Sequence, residues 1–130
     1  MGVPENDETA VKWYTLAAEQ GHADAQYSLG WMYDTGEGVP ENGKRSMTWY
    51  TLAAEQGHVD AQFYLGAKYM SEDSIFKNYV RAYMWFNLNA YNGGVGDTFK
   101  ALISRELTPA QIATAQDMSS RCLESGYMDC

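Results

Sequence analysis

Two kinds of short motif in this sequence could carry out chemistry: a serine–lysine pair and two glycine-rich strings. Ser74-Ile75-Phe76-Lys77 has the S-x-x-K spacing of acyl-transferring serine enzymes, but no S-D-N or K-T-G string accompanies it. Gly36-x-Gly38 and Gly93-Gly94-Val95-Gly96 could hold phosphate with backbone N–H groups, but no strand pattern precedes either of them. Each motif lacks the sequence context that its chemistry needs. We therefore expect that the chain is not an enzyme.

Histidine and cysteine, which are common metal ligands, are few in this sequence. His22 and His58 each follow a glycine that ends a predicted helix, and no second ligand lies at a zinc-binding spacing. This placement favours structural capping over metal binding. Cys122 and Cys130 fit either of two states: a disulfide that pins the tail in an oxidising compartment, or two free thiols. The sequence predicts neither a metal nor any other cofactor.

The composition narrows the classes of partner. The 130 residues are 45% hydrophobic, which predicts a folded chain, and carry a net charge of −8. No basic stripe is present, so we expect no binding to nucleic acid. No apolar run approaches the roughly 20 residues of a membrane-spanning helix, and no signal-peptide pattern follows Met1. The expected location is cytoplasmic if the chain is complete, and periplasmic or secreted if it is a fragment of an exported protein.

A tandem repeat must position any functional residue in this chain. Residues 2–37 and 38–73 align without gaps and share the blocks GVPEN, WYTLAAEQGH, DAQ and LG. Trp85, 36 residues after Trp49, belongs to a third and more divergent copy. A fixed period of this length indicates an array of stacked units whose apolar faces are covered by their neighbours. Such an array is more typical of a binding surface than of an enzyme with one central cleft.

Each repeat contains two helical patterns and no strand-like alternation. Residues 7–20 have one helix period, with Asn6 or Asp7 as the predicted N-cap. Asn42 is the predicted N-cap in the second copy. Gly30 and Gly66 lie inside the other predicted helix of their copies, and we expect them to allow close helix packing. Thr108-Pro109-Ala110-Gln111 predicts a capping box at the start of a last helix.

These patterns resemble the Sel1-like repeat family of tetratricopeptide-like solenoids. The residues that carry the resemblance are Ala25, Leu29-Gly30, Tyr33, Gly36, Gly38-Val39, Asn42, Trp49-Tyr50, Ala53-Ala54 and Gly57. The resemblance implies an all-α, right-handed α-solenoid of stacked antiparallel helix pairs, with about seven helices. It implies one domain over residues 1–130: an unpaired helix (7–20), two repeats (22–57 and 58–93), and a degenerate repeat with a capping helix (94–130).

The resemblance also implies a function. Members of the family are often bacterial and act as adaptors or scaffolds, so we expect protein–protein interaction on a concave face lined by the first helix of each repeat. The residues expected on that face are Asp24, Tyr27, Trp31, Asp34, Asp60, Phe63 and Met70. Aromatic rings beside carboxylates would suit a protein or peptide with basic and apolar side chains. For Tyr27, Phe63 and Phe99, packing in the core between adjacent units is the favoured alternative. Trp31 is replaced by Ala67 in the next copy and is the stronger candidate for binding.

Two alternatives remain open from the sequence. In the first, the chain is a structural spacer from a longer array, and the bare side of helix 7–20 would then make a homodimer when isolated. In the second, the chain is a hydrolase, because cysteine-rich relatives of the family are β-lactamase-like. The cysteine pair that those relatives carry in every repeat is absent here, which leaves the hydrolase as a remote alternative.

Overall fold

The computed structural model describes residues 4–72 and 74–130. Within these residues the chain forms helices and loops without a β-strand, which confirms the all-α prediction. None of the described helices is both long and apolar enough to span a bilayer. The described residues form seven α-helices, as expected: α1 (Pro4–Glu19), α2 (Ala23–Thr35), α3 (Gly43–Ala54), α4 (Val59–Met70), α5 (Tyr79–Tyr91), α6 (Gly96–Ile103) and α7 (Pro109–Glu124), with a 3-10 helix at Ser104–Glu106.

The helices group into two compact units, Met1–His58 and Val59–Cys130. In the first unit α2 packs against both α1 and α3, and in the second unit α5 packs against α4, α6 and α7. Each unit therefore has a central helix and a hydrophobic cluster of its own. In the first unit Ala18, Ala25 and Leu29 are buried, with Val11, Ala17, Tyr33 and Trp49 packed around them. In the second unit the buried members of the cluster are Ala82, Phe86 and Ile103.

Two glycines explain how closely the paired helices approach. A Cβ on Gly30 of α2 would lie 2.6 Å from Cδ1 of Tyr50 on α3. A Cβ on Gly66 of α4 would lie 2.7 Å from Cε1 of Phe86 on α5. In both units an aromatic ring thus rests on bare helix backbone at the same place in the repeat. The prediction that these glycines allow close packing is confirmed.

The start of α1 differs from the prediction. The helix begins at Pro4 and runs through Asn6 and Asp7, so neither residue caps it. Proline suits a first helical turn because its φ is already helical and it lacks the N–H that would be unsatisfied there. In the second copy, Asn42 does cap α3: its side chain accepts a hydrogen bond from Arg45 N, and its own N–H donates to Tyr33 O at 2.9 Å. That second bond requires the carbonyl of a preceding helix, which fixes where α3 can start.

Both ends of the C-terminal helix α7 are held by specific contacts. Thr108 and Gln111 form the predicted capping box, with hydrogen bonds of 2.9 and 3.1 Å. At the other end, a disulfide joins buried Cys122 to Cys130, whose Cα atoms lie 4.6 Å apart. Tyr127 N also donates a hydrogen bond to Cys122 O. The tail is therefore held against the end of α7 by a covalent bond and by the backbone.

Candidate partner-binding groove

Helices α1 and α2 of the first unit line an open cavity of about 250 Å³. Two pairs of residues, each four positions apart, contribute from α2, because positions i and i+4 share one helix face. These pairs are Tyr27 with Trp31 and Ser28 with Met32, and Tyr14 faces them from α1. We call this cavity the aromatic groove. Three aromatic rings, a hydroxyl and a thioether give it apolar walls with a few polar atoms.

The walls of the groove differ in how firmly they are held. The ring of Tyr27 stacks on His58 with centroids 4.8 Å apart, and it also contacts Tyr50 at 5.7 Å. Tyr27 is therefore fixed by neighbours on its far side. Tyr14 and Trp31 are each 38% exposed, which is high for side chains of their size. An indole and a phenol left accessible beside a fixed ring can cover an apolar group or the face of a cation.

Carboxylates lie one helical turn beyond each end of the α2 wall. Asp24 precedes Tyr27 by three residues, and Asp34 follows Trp31 by three. The side chain of Asp24 is 99% exposed, and its Oδ1 lies 2.9 Å from Nε2 of His58. Because this carboxylate is almost fully exposed, it adds negative potential at the surface although it contacts the imidazole of His58. The groove therefore combines aromatic walls with acidic ends.

The seven residues that the sequence assigned to the concave face lie on two helices. Asp24, Tyr27, Trp31 and Asp34 all lie on α2, and two of them, Tyr27 and Trp31, line the groove. The other three, Asp60, Phe63 and Met70, lie on α4 in the second unit.

Two of the α4 residues contribute to the core. Phe63 is half-buried, and its ring lies 5.8 Å from that of Phe86 and 5.2 Å from that of Phe99. Met70 also packs against the cluster that contains Phe86. For Phe63 and Phe99 this supports the core interpretation, which the sequence left open. Asp60 is exposed in the first turn of α4.

The sequence did not predict three of the groove residues: Ser28 and Met32 on α2 and Tyr14 on α1. Among them, Tyr14 is the one whose copy has a different role. It belongs to the block WYTLAAEQGH, in which its copy is Tyr50, so it looked like scaffold. Tyr50 is fully buried over Gly30, whereas Tyr14 is part of the groove wall. Residue identity gave no signal for this difference, because a repeated residue can have different neighbours from its copy.

The chemical motifs have structural roles in the described part of the chain. Gly36 and Gly38 have φ values of +79° and +77°, so they form a turn that other residues would strain. Lys77 Nζ is bonded to Glu72 at 2.9 Å, and the hydroxyl of Ser74 accepts a hydrogen bond from the backbone. Neither contact prepares a serine nucleophile.

The histidines also have structural neighbours. His58 contacts Asp24 and Tyr27, and His22 occupies the N-cap position of α2. The prediction of capping is wrong for the side chain of His22, which makes no capping hydrogen bond. Among the described residues, no group of three or more His, Cys, Asp or Glu side chains could hold a metal ion.

Two solved structures resemble this chain. One is a protective antigen present in uropathogenic Escherichia coli strains that displays an SLR fold. The antigen matches 98% of this chain with a TM-score of 0.89 and 29% identity. This chain spans 28% of the length of the antigen. The other is a Sel1 repeat protein from Oxalobacter formigenes, which matches 66% of this chain with a TM-score of 0.63 and 40% identity. This chain spans 35% of the length of that protein. No curated protein matches the chain.

The family model gives the same assignment. The Sel1 repeat matches residues 1–22, 23–58 and 59–94, which together are well over half of the chain. Repeats of this kind generally serve as protein–protein interaction modules and are typically non-catalytic. The α-solenoid fold predicted from the sequence is confirmed by these likenesses. The chain therefore belongs to the Sel1 repeat family.

Proposed function

We propose that this chain is a non-catalytic interaction module that binds a peptide segment of a partner protein in the aromatic groove. The observation that carries the proposal is the exposure of Trp31 and Tyr14 beside the fixed ring of Tyr27. Exposed aromatic residues in a concavity are frequent binding hot spots, because covering them removes much apolar area from water. Family membership supports a protein partner but does not specify where it binds.

The chemistry of the groove favours a segment with one basic and neighbouring apolar side chains. A guanidinium or ammonium group can lie over the rings while the carboxylates of Asp24 and Asp34 attract it. Leucine-like side chains can cover Met32 and the edge of Trp31. An acidic segment would be repelled by these carboxylates and by the net charge of −8. Binding should therefore weaken with added salt as well as with loss of the aromatic rings.

The experiment compares three end-blocked peptides that differ at one central position between two leucines: arginine, glutamine and glutamate. Calorimetric titration should give the tightest binding for arginine and the weakest for glutamate. Trp31→Ala should weaken arginine-peptide binding about 30-fold, the equivalent of about 2 kcal/mol at a hot spot. Trp13→Ala is the matched control, since Trp13 is an exposed tryptophan that does not line the groove. Equal binding of all three peptides, or equal losses in both variants, would contradict the proposal.

A second candidate function is that of a structural spacer in a longer array. The observation that favours it is the outer side of α1, where Trp13 is 68% exposed and Leu16 is 52% exposed. Large apolar side chains exposed together on one helix face favour coverage by another protein surface. A spacer would show no selectivity among the three peptides.

A further inference from the structure

The loop that follows α7 is closed by the disulfide between Cys122 and Cys130. We call residues 126–130, together with this disulfide, the clasp. Met128 in the middle of the loop is 87% exposed, and Asp129 is exposed as well. These two side chains bury little apolar surface, so they contribute little to holding the loop in place. The order of the clasp therefore comes from the disulfide and from hydrogen bonds.

Tyr127 is held in a backbone conformation that tyrosine rarely adopts. Its φ is +69°, in the left-handed region, and Gly126 before it has a φ of +65°. Glycine takes this conformation readily, whereas the Cβ of any other residue is crowded there. Among the residues that the structure describes, no other non-glycine residue has a positive φ. Because such a conformation persists only where its surroundings enforce it, we attribute it to the closure of the loop.

The closed loop places the phenol of Tyr127 against the end of α5. Asn92 caps the C-terminus of α5, and its Nδ2 donates hydrogen bonds to Tyr127 Oη at 2.9 Å and to Gln62 Oε1 at 3.1 Å. Gln62 lies on α4 and is fully buried. Nδ2 also donates to Leu88 O at 3.1 Å, so its two hydrogens are shared among three acceptors. The clasp is thus connected to the packed pair of α4 and α5 through one amide group.

The first unit shows that this pair of amides forms without a tyrosine. Gln56 and Gln26 have the repeat positions of Asn92 and Gln62, and Gln56 Nε2 donates to Gln26 Oε1 at 2.8 Å. The clasp belongs to the second unit, so it takes no part in that bond. If Tyr127 leaves, the amide hydrogens of Asn92 still have Gln62 and Leu88 as acceptors. The clasp can therefore open while α4 and α5 stay packed.

We propose that the clasp is a redox switch that a dithiol reductant opens. In the oxidised chain the disulfide holds Tyr127 in the left-handed conformation and keeps its phenol on Asn92. In the reduced chain Tyr127 relaxes to an ordinary backbone conformation and its bond to Asn92 breaks. The backbone bonds of the loop, from Tyr127 N to Cys122 O and from Asp129 N to Ser125 Oγ, do not offset the conformational entropy that its residues regain.

The opening step is thiol–disulfide exchange. Cys130 is half-buried and Cys122 is fully buried, so a thiolate of the reductant attacks Sγ of Cys130 and releases the Cys122 thiolate, which takes up a proton. The second thiol of the reductant then displaces Sγ of Cys130 from the mixed disulfide, and that sulfur is protonated in turn. The dithiol loses two electrons and becomes a cyclic disulfide, while the protein gains two thiols.

The test follows the side-chain amide signals of Asn92 by NMR in the full chain, with and without dithiothreitol. Reduction of the wild type should shift these signals, because the amide loses the phenol as a partner. Tyr127→Ala in the oxidised chain should produce a similar shift, and its reduction should then move the signals little further. The matched control is Gln56, whose amide forms the equivalent pair in the first unit and should keep its signals throughout.

Two results of this titration would overturn the proposal. One is that the Asn92 signals stay in place when the wild type is reduced, or move as far on reduction of Tyr127→Ala as on reduction of the wild type. The other is that the signals of Gln56 move as much as those of Asn92, because reduction would then loosen the whole chain and not the clasp alone.

A second measurement tests the left-handed strain by comparing Tyr127→Ala with Tyr127→Gly, both of which lack the phenol. The ratio of oxidised to reduced chain is measured at equilibrium in dithiothreitol buffers. Glycine accepts the φ of residue 127 without strain, so the disulfide of Tyr127→Gly should be about fivefold harder to reduce than that of Tyr127→Ala. Equal ratios for the two variants would overturn the proposal, because the disulfide would then not be holding residue 127 in an unfavourable conformation.

Discussion

The two tryptophans at equivalent repeat positions, Trp13 and Trp85, should differ sharply in their contribution to stability. Trp85 is 2% exposed on α5, whereas Trp13 is 68% exposed on α1. A buried tryptophan removes roughly 200 Å² from water, which at about 25 cal/mol per Å² gives about 5 kcal/mol. Core Trp→Ala substitutions in general cost about 3–5 kcal/mol. We therefore expect Trp85→Ala to lower the free energy of unfolding by about 4 kcal/mol.

Trp13→Ala should cost far less. Only about a third of its surface is covered, so the same area estimate gives roughly 1.5 kcal/mol, and the better helix propensity of alanine offsets part of this. The expected loss is at most about 1 kcal/mol.

The assay is urea denaturation followed by circular dichroism at two protein concentrations. Similar losses for both variants at both concentrations would contradict this prediction, because the two side chains differ in how much of their surface the protein covers. A loss for Trp13→Ala that grows with concentration would show that self-association covers this residue.

Three further changes test other parts of the structure. Gly66→Ala places a Cβ 2.7 Å from the Phe86 ring and should destabilise the chain by about 1–3 kcal/mol in a thermal melt, with partial rescue by Phe86→Leu. Reduction of the Cys122–Cys130 disulfide, which closes a short loop, should cost about 2.5 kcal/mol, and an unchanged melting temperature after reduction would contradict this. Burial raises the pKa of Glu55 above its usual value of 4.5, so the protonated form favours folding, and that contribution is lost as the pH rises through the raised pKa. Glu55→Gln should therefore stabilise the chain at pH 7 relative to wild type but not at about pH 4, as melting temperatures at the two pH values would show.

The sequence predicted the elements that are specified locally or by the repeat itself. The glycine positions Gly30 and Gly66, the Asn42 cap and the Thr108 capping box all depend on residues within one helix pair or one turn. These features can be predicted from the residue types, because each copy of the repeat places these residues beside the same neighbours. The all-α fold could be predicted from the same 36-residue repeat.

The features that the sequence did not predict depend on what lies next to a repeated residue. Tyr14 and Tyr50 are the same residue in the same block, but only Tyr50 covers a glycine of α2. Similarly, Asn42 caps α3 and donates its N–H to the Tyr33 carbonyl of α2, whereas α1 starts at Pro4 and runs through Asn6, the copy of Asn42. Phe63 and Tyr27 have the same repeat position and contact equivalent rings, Phe86 and Tyr50. Their other neighbours differ, because Phe63 also contacts Phe99 whereas Tyr27 stacks on His58. The neighbours of a residue decide its role, and the residue type at one position does not specify those neighbours.

The most direct test of the proposed groove follows the tryptophan indole N–H signals in an NMR titration with the arginine-containing peptide. The chain has four tryptophans, so the four signals can be assigned by single substitution. We expect the Trp31 signal to shift in a saturable way while the Trp13 and Trp85 signals stay in place, and the glutamate-containing peptide to leave all four unchanged. A shift at Trp13 without one at Trp31, or equal shifts with both peptides, would contradict the assignment of the groove as the binding site.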